Sequence, residues 1–121
     1  DMAAPNIVNV ATITGITTGR ALTTTTTTQL LTNVASSNKV FKVNSIIVSN
    51  VDGASSADAT IAYNDGSTSY HLAKTVAVPA DTTLVVVDKN SALYLEEGTK
   101  LVGGASANSD LEAVITYEEI S

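Results

Sequence analysis

The chain has 121 residues, which fits one domain with a sizeable core. Only 15% of the residues are charged, the net charge is −6, and the six basic residues are scattered. Nucleic acids and anionic membranes are bound through clustered basic residues, so neither is an expected partner. The chain contains no cysteine, which excludes disulfides and thiolate metal sites. The N-terminus has no basic region followed by an apolar one, so no signal peptide is expected.

Residues 1–33 are interpreted as an N-terminal arm or as leading strands. Residues 3–18 carry apolar side chains on both parities, which fits an extended arm on a neighbouring subunit as well as an internal strand. Residues 23–28 are six threonines, which favour strands but carry no inside–outside code. They are interpreted as an edge strand, a partly mobile segment or a strand that orders on a partner. If the segment is an arm, deleting residues 1–33 should leave a folded core that fails to assemble.

Residues 39–79 predict three strands. In the first, Phe41, Val43 and Ile47 are expected to face the core. The other two flank an Asn-Asp-Gly-Ser turn at residues 64–67, a strong hairpin signal because Asn, Asp and Gly accept positive φ at low cost. Tyr63 and Tyr70 are predicted to pair across this hairpin.

The remaining residues predict further short strands. Turns are expected at residues 79–82, 88–91 and 96–98, and a loose loop at 103–110. The last strand, 111–119, has the cleanest alternation, with Leu111, Ala113, Ile115 and Tyr117 on one face. The pattern predicts an all-β fold: a single antiparallel β-sandwich over residues 34–121 with eight or nine strands, a jelly roll being one arrangement, preceded by an extended N-terminal arm. Strand order is left open.

Candidate catalytic residues are few. His71 is the only histidine, and no sequence pattern supplies a partner for it, so it is interpreted as a surface or interface residue. At a subunit contact, its protonation would loosen assembly at acidic pH. Glu96 and Glu97 are adjacent, so they point to opposite sides and are expected to decorate a turn. We predict a protein that is not an enzyme.

No cofactor or metal site is predicted. Asp65 lies in a segment without the spacing of a calcium loop. Asp52, Asp58 and Asp110 are placed in loops and could gather around Ca²⁺ if those loops converge. The Gly103–Gly104 pair is followed by neither the Gly-Lys-Ser/Thr motif nor the helix of a phosphate loop.

Residues 39–121 resemble small virion structural proteins of tailed bacteriophages, notably those of marine phages. The resemblance lies in the order of the segments KVFKVNSIIVSNVDG, YHLAKTVAVPADTTLVVVDKNSALYLEEGTKL and LEAVITYEEIS. Its most recognisable parts are the turns at residues 78–80 and 95–98.

The resemblance implies a non-enzymatic particle component, with a capsid decoration (cement) protein as the first expectation. Many such proteins are small β domains that form homotrimers on the head shell, so the implied partners are further copies and the major capsid protein or another virion protein. The implied location is the virion, after synthesis in the host cytoplasm. The alternatives are a tail, neck or fibre component of the virion, and a cell-surface or carbohydrate-binding β-sandwich, which would show exposed aromatic residues or loop carboxylates with calcium.

Overall fold

The computed structural model describes residues 12–121, which form two antiparallel β-sheets and a single 3-10 turn at residues 89–91. The prediction of an all-β sandwich is confirmed. The strands are β1 (Ile13–Ala21), β2 (Gln29–Asn33), β3 (Val40–Asn50), β4 (Ala57–Asn64), β5 (Ser69–Val78), β6 (Thr83–Val87), β7 (Leu93–Leu95), β8 (Thr99–Ala105) and β9 (Leu111–Ile120).

The strand order, which the sequence left open, is that of a jelly roll. Sheet A has the order β1-β9-β3-β6, with β7 also paired to β3, and sheet B has the order β2-β8-β4-β5. The pairs are nested: β4 with β5, β3 with β6 and β7, β2 with β8, and β1 with β9. This arrangement of eight strand positions in two sheets is the double Greek key of jelly-roll domains.

The core lies between the sheets. Phe41 of β3 and Tyr117 of β9 contact each other there, with ring centroids 5.1 Å apart. The predicted face of β9 is confirmed, because alternate residues of that strand are buried. The residues of this core cluster with the lowest exposure are Leu22, Val43, Ile46, Val48, Ala59, Ile61, Val78, Leu95, Leu101 and Leu111.

The inward face predicted for β3 is only partly correct. Phe41 and Val43 are buried, but Ile47 is half-buried, and Ile46 and Val48 face the core instead. The cause is a β-bulge: Val43 pairs with Tyr117 and Ser45 with the next residue of β9, so Asn44 is the extra residue. An extra residue reverses the inward parity of every position that follows it.

The predicted hairpin between β4 and β5 is confirmed, and Tyr63 lies directly opposite Tyr70. The Asp65 carboxylate accepts hydrogen bonds from the backbone amides of Ser67 (3.0 Å) and Thr68 (2.8 Å). Gly66 has φ +108°, the conformation for which a glycine was expected. The turn therefore forms from local side-chain chemistry.

The six threonines form a turn rather than an edge strand. The Ala105 amide donates to the Thr23 carbonyl (2.8 Å), the Gly103 amide to the Thr28 carbonyl (3.0 Å), and the Thr28 amide to the Thr25 carbonyl within the turn (3.2 Å). The loop predicted at 103–110 was also wrong in its first part, because the two glycines belong to strand β8. A Cβ on Gly104 would lie 2.5 Å from the Thr23 carbonyl oxygen, so the threonine turn needs a glycine beneath it.

The sandwich has two distinct ends. The hairpin end holds the first residue of β1, the start of β3 and the turns at 65–68 and 96–98, which meet where Gly66 approaches the Gly98 carbonyl. The opposite end holds residues 51–56, 79–82 and 106–110, joined by a hydrogen bond from the Val51 amide to the Asp110 carbonyl (2.8 Å).

The described part of the 1–33 segment, residues 12–33, supplies strands β1 and β2 to the two sheets. Leu22, Leu30 and Asn33 are buried. Residues 1–11 lie outside the described residues.

Candidate interaction surface

Most of the large apolar side chains that are exposed lie along one edge of the sandwich. Strand β5 is an outer strand of sheet B, β6 and β7 form an outer edge of sheet A, and β5 contacts β6. Within residues 12–121, eight large hydrophobic residues are exposed, and five of them lie on these three strands: Tyr70, Leu72, Val76, Val85 and Tyr94. Exposed apolar residues that cluster in this way mark an interaction surface more often than isolated ones do.

A groove opens between β5 and β7 at the hairpin end of this edge. Its volume is about 290 Å³ and its lining is almost entirely apolar. Tyr70, Leu72 and Tyr94 are 58%, 40% and 46% exposed. The remaining lining residues are Tyr63, His71 and Leu93. Three of the four tyrosines of the chain thus line the groove.

Few charges protect this edge. Lys74 is the only Lys, Arg, Asp or Glu within the three strands. Outer strands carry unpaired backbone donors and acceptors, and natural proteins usually blunt them with charges, prolines or bulges. Besides the Lys74 charge, one bulge is present: Thr75 has φ +48° at a break in the β4–β5 register, and its amide donates to the Thr60 hydroxyl (3.1 Å). Apart from Lys74 and this bulge, the three strands carry none of these devices, so the edge is open to pairing with another segment.

The structure places His71 on the rim of the groove. It is exposed and lies opposite Ala62 of β4. In the part of the chain that the structure describes, no three histidine, cysteine, aspartate or glutamate side chains are grouped so that they could hold a metal ion. Glu97 accepts a hydrogen bond from the Asn38 amide, and the Glu96 carbonyl accepts from the Thr99 amide (3.1 Å). The two glutamates thus lie in the turn between β7 and β8, as predicted.

Two of the three loop aspartates considered for calcium come together at the opposite end. The Asp52 and Asp110 carboxyl groups are near enough for each to influence the pKa of the other. The amides of Ala54 and Ser55 donate to Asp52 and lower its pKa. Desolvation, followed by the Asp52 charge, raises the pKa of Asp110. Asp58 lies instead in β4, where its amide donates to the Ser106 hydroxyl (2.8 Å).

The groove was not predicted from the sequence. Only the Tyr63–Tyr70 pair could be read from the hairpin, since Leu93 and Tyr94 come from a strand in the other sheet. A usable signal was the short apolar run Leu-Tyr-Leu after a charged turn, in a chain whose aromatic residues amount to 4%. The juxtaposition itself depends on strand order, which the alternation pattern does not encode.

Comparison with protein-family models, curated proteins and solved structures found no match to this chain. Within residues 12–121, no helix has the length and hydrophobicity needed to cross a lipid bilayer.

Proposed function

We propose that this chain is a structural protein of a bacteriophage virion, and within that class a capsid decoration protein that stabilises the head shell by binding to copies of itself and to the capsid protein. It is not an enzyme and uses no cofactor. The observation that carries the proposal is the apolar edge of β5, β6 and β7, which offers an assembly surface on a small domain with few charges.

Two further features support this function. The jelly roll occurs in viral capsid domains as well as in lectins and cupins, so it is compatible with a particle component without identifying one. The resemblance of residues 39–121 to small phage structural proteins points in the same direction. Together with the open edge, these features favour a role that depends on binding rather than on chemistry.

The decisive measurement is the copy number of the chain in particles purified from the source of the sequence, by quantitative mass spectrometry against the major capsid protein. A decoration protein is expected at a number comparable with that of the capsid protein. A number lower by one or two orders of magnitude would instead place the chain in the tail, neck or fibre, where such components are few. Absence from the particles would overturn the virion proposal.

A carbohydrate-binding domain is the second candidate function, and the exposed tyrosines of the groove favour it. Aromatic rings in such modules form platforms for sugars, and Tyr70 and Tyr94 are both accessible. The apolar lining weighs against this function, because a sugar needs several polar partners to fix its orientation. Titration with a panel of neutral oligosaccharides, followed by NMR of the tyrosine ring protons, tests it. Ring shifts that saturate, and that disappear in Tyr94→Ala, would favour this candidate.

A further inference from the structure

We propose that the groove between β5 and β7 binds the N-terminal segment, residues 3–11, of a second copy of this chain. The inference deepens the proposed function and rests on it, since it specifies how copies of the chain associate. Three features carry it: the place where this segment leaves the sandwich, its chemistry and the course it can take.

The segment leaves the sandwich at the end where the groove opens. Thr12 and Ser121 exchange two backbone hydrogen bonds (3.0 and 2.9 Å), and the exposed Ile13 pairs with Ile120. In the same sheet, β9 and β3 pair at this end, and β7 lies on the far side of β3. The exit point and the groove therefore lie at one end of sheet A, on opposite edges.

The chemistry of the segment matches that of the groove. Residues 3–11 read AAPNIVNVA and contain no charged residue. Ile7, Val8 and Val10 are β-branched and favour extended backbone, so they can present aliphatic side chains to the space between Tyr70 and Tyr94. An extended segment can also use the unpaired backbone groups of an outer strand, which is a common mode of peptide recognition.

The course of the segment favours a second copy over its own sandwich. To reach its own groove, the chain would have to reverse direction and cross the ends of β9 and β3. Residues 6–12 contain no glycine or proline and no Asn-Gly or Asp-Gly pair, so no tight reversal is encoded there. Nine extended residues span about 30 Å, which is enough to reach a neighbouring molecule.

Engineered disulfides test the proposal sharply, because the chain contains no cysteine. Asn9→Cys and His71→Cys are prepared as separate proteins, and both substitutions leave the apolar contacts in place. After mixing and mild oxidation, we expect a disulfide heterodimer formed about tenfold faster than with the control Val51→Cys, because binding raises the local thiol concentration. Val51 is also exposed and lies at the opposite end.

Three results would overturn the proposal. Equal cross-linking to positions 71 and 51 would mean random collision, and no cross-linking to position 71 would mean that the groove is not the binding site. In the double variant Asn9→Cys/His71→Cys, a disulfide that forms within one molecule would assign the segment to its own groove. Circular dichroism confirms that each variant is folded.

A second experiment is independent of cysteine chemistry. By sedimentation equilibrium, deletion of residues 1–11 and the substitution Leu72→Ser should each weaken self-association at least about tenfold, whereas Val51→Ser should leave it unchanged. Unaltered association in the deletion variant would contradict the proposal. Both experiments use the purified chain alone, so their failure would leave the copy number in particles, and with it the proposed function, as a separate question.

Discussion

Asn33 and Asn50 are buried amides that join the ends of strands. The Asn33 side-chain amide donates to the carbonyls of Lys39 and Leu95, both at 2.9 Å, and its oxygen accepts from the Ser37 hydroxyl. The Asn50 amide donates to the carbonyls of Ser55 (2.9 Å) and Val78 (2.8 Å), and its oxygen accepts from the Asp52 amide (2.8 Å). Each amide fixes one end of the sandwich, Asn33 the hairpin end and Asn50 the opposite one.

Replacing Asn33 by alanine should therefore destabilise the whole domain. The change removes three side-chain hydrogen bonds at a fully buried position and leaves carbonyl groups without that partner, which costs about 2–4 kcal/mol. Urea denaturation measures the loss, with the exposed Asn90→Ala as the matched control, expected to remain within about 0.5 kcal/mol. An Asn33→Ala protein as stable as the control would show that these bonds contribute little.

The Asp52–Asp110 pair predicts a pH-dependent stability. Because the pKa of Asp110 is raised in the folded state, its contribution to stability is present below the unfolded pKa and is lost as the pH rises through the folded pKa. Asp110→Asn mimics the protonated form and should raise the melting temperature at pH 7, with the difference vanishing near pH 3. Asp58→Asn changes the net charge equally and serves as the control. Equal shifts for both variants at pH 7 would reduce the effect to general charge repulsion.

Strand β8 depends on glycine for contacts that no other residue allows. Gly104 lies beneath the threonine turn, and a Cβ there would also approach the Thr25 carbonyl oxygen to 2.9 Å. The run of threonines and the two glycines, each unremarkable alone in the sequence, are thus parts of one contact.

Gly104→Ala is expected to destabilise the domain by about 1–3 kcal/mol, because the turn must move and lose its backbone hydrogen bonds to β8. Gly15 of β1 offers a contrast, because a Cβ added there would meet no atom within 4 Å and the φ of this residue is not positive. Gly15→Ala should stabilise the protein by up to about 1 kcal/mol through the unfolded state. Thermal denaturation of both variants is the measurement, and the same sign for both would refute this account.

Elements that form through contacts between residues close in the sequence could be predicted. Features that depend on contacts between distant segments could not. The hairpin at Asp65 was predictable because its own side chain and glycine form it. The prediction of the inward face of β3 was wrong after Asn44, because the residues before a bulge keep their regular alternation and give no sign of it. The role of Gly104 was missed because this residue was placed in a loop, whereas it lies in β8 and its missing side chain makes room for the threonine turn. The groove could not be predicted either, because its lining residues come from strands of two different sheets.

The structure also changes the expected result of deleting residues 1–33. The deletion removes β1 and β2, together with the buried Leu22 and Leu30, and leaves β8 and β9 as outer strands. We now expect loss of cooperative unfolding in this variant, whereas a variant that lacks only residues 1–11 should keep it. Circular dichroism melts compare the two. A cooperative transition in the longer deletion would show that residues 34–121 form an independent domain.

The nested strand pairing has a consequence for how the chain reaches its folded state. The innermost pair, β4 and β5, closes a loop of a few residues, whereas Ala21 and Glu112, paired between β1 and β9, are 91 positions apart. Contacts between distant positions form slowly, because the entropy of the intervening chain must be lost first. During synthesis, β1 and β2 therefore emerge well before β9 and β8, the strands with which they pair. Strand β1 consists of threonine, glycine and few apolar residues, so it exposes little apolar surface before its partner is made, and this lowers its tendency to aggregate in the meantime.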